Sequence, residues 1–152
     1  EQSGAPVEDR DAKRIDGTQA KPVTADDQMG AALAAVKQGV LAKRSVFCDY
    51  DSYGIKDEFK SLVEAHARFL VANPKVKMLI QGNADERGSR EYNLALGQKR
   101  AEALKKMLLL LGAREEQVEA VSLGEEKPRC AEHAETCWSQ NRRDDMLYTG
   151  EF

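Results

Sequence analysis

From Ser45 onward the hydrophobic positions fall into periods, and ahead of that point they do not. SVFCDY, residues 45–50, is enriched in β-formers and reads as a strand. After Asp57, a residue suited to capping a helix, Phe59, Leu62, Val63, His66, Phe69 and Leu70 recur at the three- and four-residue spacing of one buried helix face. Asn73-Pro74 stops that helix. KVKMLIQ, residues 75–81, is a second strand, and Gly82 to Gly88 is a loop. Ser89 is placed to cap a long helix that runs to about Leu111, with Leu104, Leu108 and Leu111 on its core face and Gly112 as its stop. VEAVSL, residues 118–123, is a third strand, GEEKP is a turn, and the last strand lies around DDMLYTG. The order β-α-β-α-β-β predicts an α+β domain: two helices packed on one face of a four-stranded sheet.

Residues 1–42 lack this patterning. They are rich in Gly, Pro, Asp, Lys, Gln and Ala, with no large aliphatic cluster before Val36, Val40 and Leu41. Such a segment buries too little surface to offset its ordering entropy. It is expected to be a flexible tether, with a short helical patch at 29–37 in MGAALAAVK, ahead of a folded domain at 43–152. No internal repeat is present.

The chain has 152 residues and a formal net charge of −3, so it carries no strong footprint for nucleic acid or for an anionic membrane. No apolar run approaches the roughly 20 residues needed to span a bilayer. The opening EQSGAPVEDRDAKRIDG has no apolar core and is not a signal peptide. The chain therefore reads as cytosolic, or as a mature exported chain without its targeting segment. Of its three cysteines, Cys48 reads as a small core residue in an apolar run. Cys130 and Cys137 bracket the polar CAEHAETC, and three readings stay open: a disulfide, which requires an oxidising compartment; a metal site with His133, which lacks an evident fourth ligand; and two free thiols. The two histidines are His66, on an apolar helix face, and His133, in the cysteine loop. No triad, P-loop or zinc-helix motif accompanies them, so the expectation is a binding protein without a cofactor or metal, not an enzyme.

The densest chemistry lies in GNADERGSREYNLALGQKRA, residues 82–101. Asp85 sits in the loop after the second strand. On the following helix Asn93, Gly97 and Arg100 fall on one stripe, with Leu96 beside it. Gly97 costs about 1 kcal/mol against Ala inside a helix, which is tolerated where something must approach the helix closely. Placed across a ligand-sized gap, Asp85 would hold an ammonium and Arg100 would grip a carboxylate bidentately, a pair suited to an amino-acid-like zwitterion. The same residues also fit a solvated ion pair that merely complements the helix N-terminus.

GNADERGSREYNLALGQKRAEAL resembles the signature of the OmpA-like peptidoglycan-binding domain family, and within it the peptidoglycan-associated lipoproteins. VFCDYDSYGI, EAHARFLVANP, VSLGEEKP and SQNRRDDMLY match further stretches in the same order, so the resemblance spans residues 45–148. It implies a mixed four-stranded sheet and non-covalent binding of the peptidoglycan peptide stem through meso-diaminopimelate. Asp85 and Arg100 take the positions of the family's paired ligand-holding residues. Asn93 and Leu96 line the pocket, and Tyr50 and Asp51 match positions whose backbone N–H groups receive a carboxylate. The resemblance further implies an N-terminal lipid in the outer membrane, on a cysteine this chain does not carry, so that the protein ties that membrane to the wall as part of the Tol-Pal system, with TolB and other Tol proteins as partners on the same face. A motor stator or a porin tail of the same family is the sibling reading. Three departures stand out: Cys48 replaces an aromatic, Ala84 stands where Thr is common, and Cys130 and Cys137 are additions. In a periplasmic protein these two are expected to form a disulfide. Arg142 and Arg143, the family's basic pair, are expected to be solvated or paired on the strand edge.

Overall fold

The computed structural model describes residues 24–152. The elements are α1 (Ala25–Ala35), β1 (Ser45–Phe47), α2 (Lys60–Ala72), β2 (Met78–Asn83), α3 (Arg90–Leu110), β3 (Val118–Gly124), α4 (Glu135–Asn141) and β4 (Arg143–Tyr148), with short 3₁₀ turns at Gly39–Ala42, Asp57–Phe59 and Glu115–Gln117. The strands form one mixed sheet in the order β1-β4-β2-β3. β4 runs antiparallel to both of its neighbours, with Ser45 opposite Asp145 and Gln81 also opposite Asp145. β2 and β3 are parallel, as a connection through α3 requires.

The core lies between α2, α3 and one face of this sheet. Val63, Ala67 and Leu70 of α2 and Ala101, Leu104 and Leu108 of α3 meet Val46, Met78, Ile80, Val118, Met146 and Tyr148. His66 is fully buried in this layer, where its Nδ1 lies 2.6 Å from the Tyr148 hydroxyl and its Nε2 lies 2.8 Å from the Lys43 carbonyl. A carbonyl only accepts, so Nε2 carries the proton and Nδ1 accepts from Tyr148. Burial pulls the His66 pKa down to about 4, against the Lys43 bond and with help from the Arg44 charge. The ring is a neutral structural group.

Ser89 caps α3, its hydroxyl accepting from the Tyr92 N–H, and Gly112 leaves the helix at φ +111°. The glycine inside α3 also finds its reason here. A Cβ on Gly97 would stand 2.3 Å from Ser122 Oγ and 2.8 Å from Gly82 O, and one on Gly82 would stand 1.8 Å from Gly97 O. What approaches the helix at Gly97 is the sheet, not a ligand: α3 rests backbone to backbone on β2.

Three elements differ from the sequence-based expectation. Residues 24–42 are not a tether. Thr24 caps α1 with a capping box, and Ala32 and Val36 insert into the core, so the packed body begins before residue 43. The remainder of the expected tether, residues 1–23, lies outside the described residues. The first strand ends at Phe47, although the Cys48 N–H still bonds the Arg142 carbonyl at 2.9 Å. The segment after the third strand contains α4, a short polar helix with no apolar period to announce it.

Candidate functional site

Three chain segments meet at the C-terminal end of β2: the turn after β1, the loop 84–89, and the first turns of α3. Between them lies a pocket of about 170 Å³ lined by Tyr50, Asp51, Asp85, Arg87, Gly88, Tyr92, Asn93 and Leu96. Of the six ligand residues expected from the sequence, five are on this wall. Arg100 is not. It lies beneath, fully buried, and donates from Nε to the Ser52 carbonyl at 2.7 Å, from Nη1 to Asn83 at 2.8 Å and from Nη2 to Asp49 at 3.0 Å. The guanidinium thus holds the turn after β1 against the end of β2 and leaves its positive charge under the pocket. Asp85 and Arg100 do not face each other across an open gap.

The turn itself is a built feature. Asp51 adopts φ +52°, a left-handed conformation unusual for a residue with a side chain. Its carboxylate accepts from the Tyr92 hydroxyl of α3. Ser52 N–H bonds the Asp49 carbonyl, while the N–H groups of Tyr50 and Asp51 have no partner among the described residues. Consecutive free N–H groups in such a turn form a concave anion-binding surface.

Asp85 is 4% exposed and is met by Arg87 three times: from the backbone N–H at 2.9 Å, from Nε at 3.2 Å and from Nη2 at 2.8 Å. Arg142 Nη1 lies 3.5 Å away. Burial pushes the Asp85 carboxyl up, but the Arg87 hydrogen bonds and the charges of Arg87 and Arg142 outweigh it, and the group sits below the usual carboxylate range. It is ionised at neutral pH. Asn93, at 1% exposure, donates from Nδ2 to Glu125 at 2.8 Å, which orients its amide at the pocket wall.

Two residues that the sequence reading passed over complete the site. Arg87 Cζ lies 4.0 Å from the Tyr50 ring centroid and 4.2 Å from that of Trp138, so its guanidinium is held between two aromatic faces. Trp138 is carried by α4, and its indole N–H donates to Glu86 at 2.7 Å. The Cys130–Cys137 disulfide closes the loop that leads into α4. That bond removes both thiolates from the metal reading. Asn141 pins the loop's start, accepting from the N–H groups of Arg129 and Cys130 and donating to the Cys130 carbonyl at 2.7 Å. Of the two expected states for Arg142 and Arg143, solvated or paired, the structure shows the paired one: each is 6% exposed, Arg142 bonding Glu135 and the Cys48 carbonyl, and Arg143 bonding Asp145. Cys48 is buried, and burial pushes its thiol up to about 12.

The strands make a mixed α+β sheet with a pocket at the C-terminal end of β2. The sequence pattern of the OmpA family matches residues 47–142, which include every pocket residue, and the chain belongs to that family. Within it the chain is similar to peptidoglycan-associated lipoproteins. That of Pasteurella multocida (strain Pm70) is 46% identical over 104 residues, 68% of this chain and 69% of that protein. That of Haemophilus influenzae is 44% identical, over 68% of each. The crystal structure of the peptidoglycan-associated lipoprotein from Burkholderia pseudomallei matches with a TM-score of 0.73 at 54% identity, covering 74% of this chain and 95% of that one. The C-terminal domain of Helicobacter pylori MotB matches with a TM-score of 0.65 at 19% identity, which shows the shared fold alone. Among the described residues no helix is long and apolar enough to cross a membrane.

Proposed function

We propose that this chain is a non-enzymatic binder of peptidoglycan, and that its pocket takes the side-chain end of meso-diaminopimelate from the peptide stem. One observation carries the reading: a small pocket is lined by an ionised, nearly buried carboxylate, Asp85, and by Tyr50 and Asp51, whose backbone N–H groups have no partner among the described residues. Asp85 receives the ammonium, and the N–H groups of Tyr50 and Asp51 receive the carboxylate. Asn93 and Leu96 form the wall, and Arg100 adds positive charge beneath. About 170 Å³ suits the end of one amino-acid side chain rather than a sugar chain. The names of the relatives at 44–46% identity support the same class of ligand.

Anchored by an N-terminal lipid of the full-length protein, such a domain ties the outer membrane to the wall from the periplasm. In the same reading it serves the Tol-Pal system in envelope integrity and cell division, with TolB as a protein partner. The direct test is calorimetric titration of the chain with a muropeptide containing meso-diaminopimelate. Saturable binding, lost in Asp85→Asn, is expected. Failure of the wild-type protein to bind would leave the pocket an internal ion-pair cluster.

A further inference from the structure

The sequence reading gave the task of gripping the ligand's carboxylate to Arg100, but each of that guanidinium's nitrogens is committed to a backbone carbonyl. Arg87 is the guanidinium that lines the pocket. Resting on the stem-peptide reading above, we infer that Arg87, braced between Tyr50 and Trp138, grips the ligand's side-chain carboxylate and so selects a diaminopimelate stem over a lysine stem.

The geometry supports this in three ways. Arg87 Nε and Nη2 are fixed on Asp85 Oδ1 and Oδ2, and Nη1 has no hydrogen-bond partner among the described residues. The free donor therefore belongs to a side chain whose plane is set on both faces, by Tyr50 at 4.0 Å and Trp138 at 4.2 Å. A guanidinium fixed in this way loses little entropy on binding an anion. Asp85 remains available as well. A carboxylate has about four acceptor sites; Arg87 uses three of them, and Arg142 Nη1 stands at 3.5 Å, outside close hydrogen-bond range. The Asp85–Arg87 pair is thus a fixed carboxylate beside a fixed cation, and it complements an ammonium beside a carboxylate. Lysine offers the ammonium only. It satisfies Asp85 and leaves Arg87 Nη1 without an anion.

Trp138 enters as a positioning residue. It reaches Arg87 because it follows Cys137, which the disulfide to Cys130 ties down within the first turn of α4, and because Glu86 accepts its indole N–H. Glu86 also accepts from His133 of the same loop. The loop thereby supplies one wall of the cation's seat.

The experiment is calorimetric titration with the tripeptides L-Ala-γ-D-Glu-meso-diaminopimelate and L-Ala-γ-D-Glu-L-Lys, using wild type, Arg87→Lys, Trp138→Leu and Arg100→Lys. Thermal unfolding of each variant verifies that it is folded. Arg87→Lys is expected to weaken the diaminopimelate peptide by about tenfold or more, the loss of a charge-assisted bond, while the lysine peptide changes by less than about twofold. The ratio of the two affinities, which a merely structural role would not move, should collapse. Trp138→Leu should move it the same way by less. Retention of the wild-type ratio in Arg87→Lys would overturn the inference: the carboxylate is then held by the Tyr50 and Asp51 N–H groups alone if Arg100→Lys also keeps the ratio, and with Arg100 if that variant loses it. If the wild-type protein binds neither peptide, the stem-peptide reading fails and this inference with it. If it binds both equally, stem binding stands, but the inference fails together with the carboxylate's place at the Tyr50 and Asp51 N–H groups.

Discussion

A single methyl group on Gly82 tests the frame of the site. Its Cβ would lie 1.8 Å from the Gly97 carbonyl oxygen and 2.7 Å from the carbonyl carbon, both helix backbone atoms. No rotamer relieves that clash, so α3 must retreat by more than an ångström. The helix is 21 residues long and moves as a body, carrying Asn93, Leu96 and Arg100 with it. Overpacking by one methyl costs about 1–3 kcal/mol in a well-packed core. The retreat also stretches the Arg100 bonds, now 2.7 to 3.0 Å, and losing one bond to a charged group costs about 1.5–3 kcal/mol. A total of about 4 kcal/mol lowers the Tm by roughly 8–16 °C for a domain of this size. Gly97→Ala is milder. Its near neighbour at 2.3 Å is the Ser122 hydroxyl, which can rotate away, although Gly82 O at 2.8 Å cannot. The alanine also regains about 1 kcal/mol of helix propensity. Thermal unfolding followed by circular dichroism at neutral pH should therefore rank wild type above Gly97→Ala and Gly97→Ala well above Gly82→Ala. A Gly82→Ala protein that melts with the wild type would refute the backbone-to-backbone contact.

Three other outcomes are expected. Both carboxylate oxygens of Asp144 are buried without a hydrogen-bond partner among the described residues, and burial raises its pKa well above the usual range against the pull of Arg100. Because the folded state holds that proton more tightly than the unfolded state, wild type loses stability as pH rises from the ordinary carboxylate range. Asp144→Asn removes this loss and should gain about 1–3 kcal/mol at pH 8, with a smaller gain at pH 5, in urea titrations; equal gains at the two pH values would contradict it. His66, depressed to about 4 from 6.5, stabilises the fold fully above the unfolded value, and the effect is lost as pH falls from 6.5 toward 4. That loss amounts to about 3 kcal/mol, and the stability-versus-pH slope across this window should flatten in His66→Phe. Replacing Cys130 and Cys137 together by serine should cost about 2–3 kcal/mol in denaturant unfolding, and a cost near zero would show that the loop is held by Asn141 alone.

Much of the frame was legible because long periodic segments carry their own signals. α3 declared both ends, through Ser89 and Gly112, and the α2 face followed from Val63, His66 and Leu70. Shorter features needed the tertiary structure. Ala32 and Val36 have small side chains in an alanine-rich run, and only the core they enter shows that they bury. α4 is seven residues with no apolar stripe. Gly97 correctly announced a close approach, but its partner became evident only when the register of β2 set Gly82 against it. The site divides in the same way. Asp85, Asn93 and Leu96 are grouped by loop and helix spacing, whereas the turn at Tyr50 and Asp51 entered only through the family resemblance. Arg87 looked like any other charge in a charged loop, since its distinction comes from Trp138, a residue on another element.

The order β1-β4-β2-β3 has a consequence for how the chain is made. The strand at the interior of the sheet, between β1 and β2, is the last one in sequence, and its pairing with β1 joins residues such as Ser45 and Asp145. Contacts of such long range are slow to form. Until residue 148 is available, β1 has no partner and β2 presents an open edge, so a nascent or C-terminally shortened chain holds unpaired strand edges that invite association with other chains. Quality control therefore meets this domain as an all-or-none object whose final strand completes its assembly.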